Sequence, residues 1–283
     1  MSNPPFDIRP SGQACGAEIT GIDLTNPLPR KTITALRKTW LEHHVLSFPD
    51  QAMNDDDLER FTQYFGPFGE DPFIAPIKGR KHIIAVERQP TETTPIFAEA
   101  WHTDWSFQNN PPDGTCLFGI DIPACGGDTL FANQHLALES MPETLRTKID
   151  KQRAIHSARS GYAPDGIYGV DDKGRGMDIR PDASAAATES HLLIRKHPET
   201  GKEAVYGAFG YIIGIEMMDE VESVPLLAEL YAWQTREEFQ YRHQWRPNML
   251  VMWDNRSVLH KATGGYEGQR RCLHRTTIGS RSP

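Results

Sequence analysis

Only four cysteines occur in 283 residues, at positions 15, 116, 125 and 272, with no CxxC pair and no framework spacing. A disulfide scaffold is therefore not the basis of the fold, and a reducing compartment is expected. No stretch approaches the roughly 18 apolar residues of a membrane span. The opening residues, MSNPPFDIRPSGQACG, carry neither the basic run nor the apolar run of a secretory leader. Together these absences predict a cytoplasmic protein without a membrane partner. Blocks of like charge are missing too: the net charge of −8 is spread along the chain, which argues against nucleic acid as a partner. Neither GxGxxG nor GxxxxGK[ST] is present, so a nucleotide-binding α/β fold has no support. No repeat or low-complexity linker divides the chain, and residues 1–283 read as a single domain.

What is there suits a globular protein. Hydrophobic residues make up 38 % and charged residues 24 %, enough for a chain of this size to bury a core unaided. Helical spacing is predicted over residues 31–42, through Ile33, Leu36, Trp40 and Leu41 after Pro29. A second helix starts at Asn54, where Asp55, Asp56 and Asp57 suit the N-terminal dipole, with Leu58, Phe61 and Phe65 inward. A third begins near Pro142 with Leu145 and Ile149 inward, and a fourth covers 219–234. Short runs rich in β-branched and aromatic residues predict strands at 44–48, 82–86, 115–122, 239–245, 249–253 and 272–278. This pattern predicts a mainly β protein with flanking helices, a sandwich or jelly roll rather than a parallel βαβ sheet. Residues 163–190 form the main irregular stretch and are the candidate for a lid over a site.

The segment WHTDWSF, residues 101–107, contains His-x-Asp. Residues i and i+2 of an extended chain share a face, so His102 and Asp104 can converge on one ion. Two imidazoles and a carboxylate suit Fe(II), with positions left over for cosubstrate and oxygen. With eleven histidines, about one such pair arises by chance, and the motif alone decides nothing. A rival pair, His197 and Glu199 in HPETGKE, sits where Pro and Gly mark a turn, and is read as structural. Farther on, WDNRSVLH ends an apolar strand at His260. Arg271 and Arg275 follow, four residues apart and so on one face of a strand, each offering a planar fork for a carboxylate. Read residue by residue, each of these also has an ordinary explanation as a core histidine or a surface charge. Hydrolytic zinc chemistry, or a metal-binding jelly roll with a purely binding role, remains an alternative at this point.

The ordered set resembles the taurine dioxygenase and aryloxyalkanoate dioxygenase family of Fe(II)- and 2-oxoglutarate-dependent oxygenases. The resemblance runs through GAEITGIDL (16–24), VLSFP (45–49), FGP (65–67), WHTD, GGDTL (126–130), HPETG (197–201) and WDNRSVLH (253–260). It implies a double-stranded β-helix (jelly roll) with helices outside. It implies His102, Asp104 and His260 as iron ligands, and Arg271 with Thr129 as the grip on the distal carboxylate of 2-oxoglutarate. Arg275 matches an arginine that holds a substrate anion in sulfonate-hydroxylating relatives. The implied chemistry uses O2, converts 2-oxoglutarate to succinate and carbon dioxide, and hydroxylates a small organic anion: a carboxylate, sulfonate or sulfate ester. Because Asp104 is present, hydroxylation is favoured over halogenation. Association into a homo-oligomer is also compatible with the resemblance.

The expected pocket departs from the taurine pattern. Asp71 and Ile74 stand where that branch has histidine and tyrosine, and Ala98 where it has asparagine. YGAF (206–209) and YRHQW (241–245) look closer to the aryloxyalkanoate branch. Tyr162 and Tyr211 match apolar wall positions, and Trp105 and Phe107 are further aromatic candidates. Asp71 could pair with Arg275, bind a cationic substrate group, or face water.

Overall fold

The computed structural model describes residues 4–170, 172 and 174–280. Its largest sheet has seven strands in the spatial order Asp7–Pro10, Ala17–Thr20, Val45–Phe48, Leu250–Asp254, Gly114–Asp121, Arg271–Ile278 and Ile84–Arg88. All neighbours are antiparallel except Ala17–Thr20 against Val45–Phe48. Alternation along the central strands explains why both faces are covered. Leu46, Phe48, Cys116, Phe118, Leu250 and Met252 join one apolar cluster with Trp40, Leu58, Phe61 and Phe65 of the outer helices. The residues between them, Val45, Leu117, Val251 and Trp253, join a second cluster on the opposite face. Period-two patterning of this kind fixes the register, because a slip of one residue would exchange the two cores.

The second cluster also holds Phe131, Tyr241 and Val258, which belong to a three-stranded sheet. There Thr129–Asn133 lies between Gln240–His243 and Val258–Ala262. A further sheet places Arg153–Ser157 between Ile212–Ile215 and Thr188–Leu192. The fold is thus mainly β with flanking helices.

The helices start where their caps dictate. Asn54 accepts from the Asp57 amide and the Asp57 carboxylate accepts from the Asn54 amide, a reciprocal cap on Asp55–Phe65. Asp219 caps Glu220–Gln234, whose Leu226, Leu227 and Leu230 enter a satellite core with Leu145 and Ile149. All four predicted helices and all six predicted strands are present, with ends shifted by a residue or two. Within residues 163–190, Ile167–Val170 is helical, Ala183–Ala186 is a 3-10 turn and Thr188–Leu192 begins in the segment. Residues 171 and 173 of the expected lid lie outside the described residues. Among the described residues, no helix is long and apolar enough to cross a membrane.

Candidate active site

His102 and His260 are brought together by the backbone itself. They form an antiparallel bridge in which each amide donates to the other's carbonyl, at 3.0 and 2.8 Å. Their rings lie 4.2 Å apart, centroid to centroid. The chain leaves this bridge through Thr103, whose hydroxyl donates to the Asn255 carbonyl at 2.7 Å, and turns at Trp105, where φ is 47°. Asp104 is thereby delivered beside both imidazoles. The candidate ligand atoms of His102, Asp104 and His260 all lie within 4.8 Å of one another, and all three residues are buried. Asp104 Oδ1 is 3.7 Å from His102 Nε2 and 3.8 Å from His260 Nε2, too long for hydrogen bonds and short enough for one cation to bridge.

Surrounding groups set the protonation that a cation needs. His102 Nδ1 lies 2.9 Å from the Ala100 carbonyl, so this nitrogen donates and leaves the Nε2 lone pair free. Burial pushes both imidazole pKa values down, that of His260 to about 3, and the rings are neutral bases at neutral pH. For Asp104, burial opposes ionisation, but the facing His260 imidazole, the Arg275 guanidinium, the His102 imidazole and the Thr115 hydroxyl together outweigh it. Thr115 donates to Asp104 Oδ2 at 2.6 Å, leaving Oδ1 to face the imidazoles.

Arg271 and Arg275 project from the same face of Arg271–Ile278, the face that also carries the inter-sheet Leu273. Their surroundings differ. Arg275 donates through Nη2 to Asp71 Oδ1, comes within 3.5 Å of Asp104 Oδ1 through Nη1, and lies over the Trp105 ring. Arg271 has no carboxylate partner among the described residues. Its Nη2 donates to the Gly127 carbonyl at 3.1 Å, while its Nε is buried without a partner. Burial lowers its pKa, and the Trp245 and Tyr266 rings flank it. Near it in the fold, the Thr129 hydroxyl accepts from Trp245 Nε1 at 2.9 Å, so its own proton is free to donate elsewhere. A buried guanidinium without a counter-ion is costly unless an anion completes it.

A cavity of about 570 Å³ opens over this cluster. His102, Asp104 and Arg275 lie in its wall, and Trp105, Tyr162, Tyr168, Phe209 and Tyr211 supply much of its aromatic surface. Burial raises the phenol pKa values of Tyr162 and Tyr211, so both are neutral hydroxyls. Ala98 also lines the cavity.

Two expectations for the pocket change. Ile74 is not a wall residue: it bridges Ile179 and packs in a core with Phe73 and Tyr162, 4 % exposed. Asp71 is not in the wall either, and so does not contact substrate there; of its three expected roles it takes the pairing with Arg275, and it also accepts from the Trp105 indole. Phe107 stands in a second layer, its ring 5.1 Å from that of Tyr211. His197 is structural: Nδ1 accepts from the amides of Glu199 and Thr200, and Nε2 donates to Asp254 at 2.9 Å. Sequence reasoning passed over Thr115, Tyr168 and Arg175. Thr115 carried no signal beyond heading a β-rich run, and the other two lay within the irregular 163–190 stretch.

Comparison with known proteins agrees with the geometry. The profile of the taurine catabolism dioxygenase TauD, TfdA family matches residues 7–277. The chain belongs to this family. An alkylsulfatase from Acinetobacter baylyi is 31 % identical, over 98 % of this chain and 87 % of the relative. An alpha-ketoglutarate-dependent 2,4-dichlorophenoxyacetate dioxygenase from Burkholderia sp. is 35 % identical, over 84 % of this chain and 82 % of its own. Among solved structures, a taurine dioxygenase from Burkholderia xenovorans superposes with a TM-score of 0.81 at 28 % identity, covering 98 % of this chain and 92 % of that one. The protein is accordingly a 2-oxoglutarate-dependent non-haem iron dioxygenase, using Fe(II), 2-oxoglutarate and O2.

Proposed function

We propose that His102, Asp104 and His260 hold the iron, that Arg271 and Thr129 hold the distal carboxylate of 2-oxoglutarate, and that the cavity takes a small organic anion for hydroxylation. The observation that carries this reading is Arg271: a buried guanidinium with an unpartnered Nε and no carboxylate of its own. A dicarboxylate cosubstrate supplies the missing charge. Hydrolytic zinc chemistry or a purely binding role leaves Arg271 without a purpose. The neutral imidazoles and ionised Asp104 fit a divalent cation, which supplies O2 activation when bound. The protein's own part is to orient the bound acid, shape the cavity and exclude water.

Aromatic walls, with the Arg275 guanidinium beside the His102 and Asp104 side chains, support a substrate with an apolar or aromatic body and its acidic group directed at Arg275. Relatives act on sulfate esters, sulfonates and phenoxypropionate. Ile167, Tyr168, Asp172 and Arg175 in the cavity wall support residues 163–190 as its lid. We also assign the strands to the double-stranded β-helix of the family, in one domain. Four free thiols suit a reducing cytoplasm, and a homo-oligomer is compatible with this fold. A panel of alkyl sulfates, sulfonates and aryloxy acids, scored by substrate-dependent succinate formation, tests the substrate assignment. The reading predicts turnover with at least one member; coupling only to uncharged analogues overturns the anion.

A further inference from the structure

Asp104 has one oxygen to give to a metal. Oδ2 is taken by Thr115, and Oδ1 is the oxygen that faces His102 and His260. The same Oδ1 has a competitor, Arg275 Nη1, at 3.5 Å. A buried guanidinium beside a buried carboxylate closes to roughly 2.8 Å when nothing else holds it, and here it has not closed. A second carboxylate, Asp71, takes Nη2 of the same guanidinium in the tighter contact. Asp71 is itself anchored from the other side by the Trp105 indole at 2.8 Å. That indole ring also lies beneath the guanidinium, 5.1 Å from its carbon. Asp71 lies outside the cavity wall, so it reaches the site only through Arg275 and Trp105.

We propose that Asp71 is a positioning residue that holds Arg275 off the metal-facing oxygen of Asp104, keeping that oxygen free for iron. This rests on the reading of His102, Asp104 and His260 as the metal ligands. Held in this way, Arg275 keeps an unpartnered Nε and its place in the cavity wall, where a donor for an acidic substrate group is needed. Without Asp71, the guanidinium has one carboxylate left within reach, the ligand itself.

The test is a Mn(II) titration without cosubstrate, read by the signal of free Mn(II), on the wild-type chain, Asp71→Asn, Arg275→Gln and the double variant. Asparagine keeps the shape and an acceptor for the Trp105 indole. Asp71→Asn is expected to weaken Mn(II) binding roughly tenfold, the scale of one charged hydrogen bond redirected onto the ligand. In the Arg275→Gln background the same change is expected to do little, because no competitor remains. Asp71→Glu is expected to restore most of the affinity. An unchanged affinity in Asp71→Asn overturns the proposal. So does an equal loss in both backgrounds, which would mark a plain effect of charge through space. A wild-type chain that binds no Mn(II) overturns the metal assignment, and the positioning role with it.

Discussion

Arg271 sits 5 % exposed in the inter-sheet space, with rings on its flanks and a single backbone carbonyl as partner. In the proposed site its burial cost is offset when a carboxylate arrives, so its loss is expected to fall on the cosubstrate and to leave the proposed metal ligands intact. Arg271→Gln is predicted to raise the 2-oxoglutarate Kd roughly 10- to 150-fold, the range of a charged hydrogen bond, with Mn(II) affinity unchanged. Equal losses for both ligands in calorimetric titrations would refute that division of labour. Thr129→Ala removes a neutral donor, so its effect on the same Kd is predicted to be smaller, about 2- to 10-fold. The loss also frees the Trp245 indole from its acceptor, which adds a change in tryptophan emission as a control.

At the scale of elements, the GGDT turn makes room for the Arg271 guanidinium beside the strand that carries Thr129. Gly126 and Gly127 have φ of 73° and 69°, a region that other residues enter at a cost. A Cβ on Gly127 would stand 3.0 Å from Arg271 Nε, so the missing side chain is the room in which the guanidinium lies. Gly127→Ala is predicted to weaken 2-oxoglutarate binding more than metal binding, and a titration in which the metal suffers more would count against it. The elements that the sequence made legible were those with strong local signals: the Asn54 cap, and the apolar strands 249–253 and 272–278. Thr129–Asn133 is not among the predicted strands, and Val258–Ala262 is foreshadowed only by the apolar strand end at His260. Each has five residues, with polar ones among them, and the two pair with each other across a long stretch of chain, as Asn133 does with Val258. Such pairing leaves little trace in local periodicity. The site divides in the same way. The proposed site residues His102, Asp104, His260, Arg271 and Thr129 stand in the ordered set that carries the family resemblance, whereas the sequence leaves Asp71 open among three roles. Ile74 was misplaced because position in an ungapped match says nothing of the direction a side chain takes.

At the scale of the molecule, buried histidines outside the site set the response to acid. His44, His156 and His243 are buried, and burial holds each pKa at about 3, against ~6.5 in the unfolded chain. Between those values the unfolded state binds more protons than the native one, so stability rises with pH. The contribution is complete above pH ~6.5 and is lost as pH falls toward 3. Each histidine adds a slope approaching 1.4 kcal/mol per pH unit within that window. The urea midpoint of the metal-free protein is therefore predicted to fall steeply from pH 6.5 to 4.5, and a flat midpoint would show that these rings are not held neutral.

The proposed site assembles iron and 2-oxoglutarate together in one buried cluster. The most direct test is the visible absorption of the protein under anaerobic conditions after Fe(II) and then 2-oxoglutarate are added. A weak charge-transfer band is expected that needs both additions, disappears in His260→Ala, and requires more 2-oxoglutarate in Arg271→Gln. No band from the folded wild-type chain, or an undiminished band in His260→Ala, would contradict it.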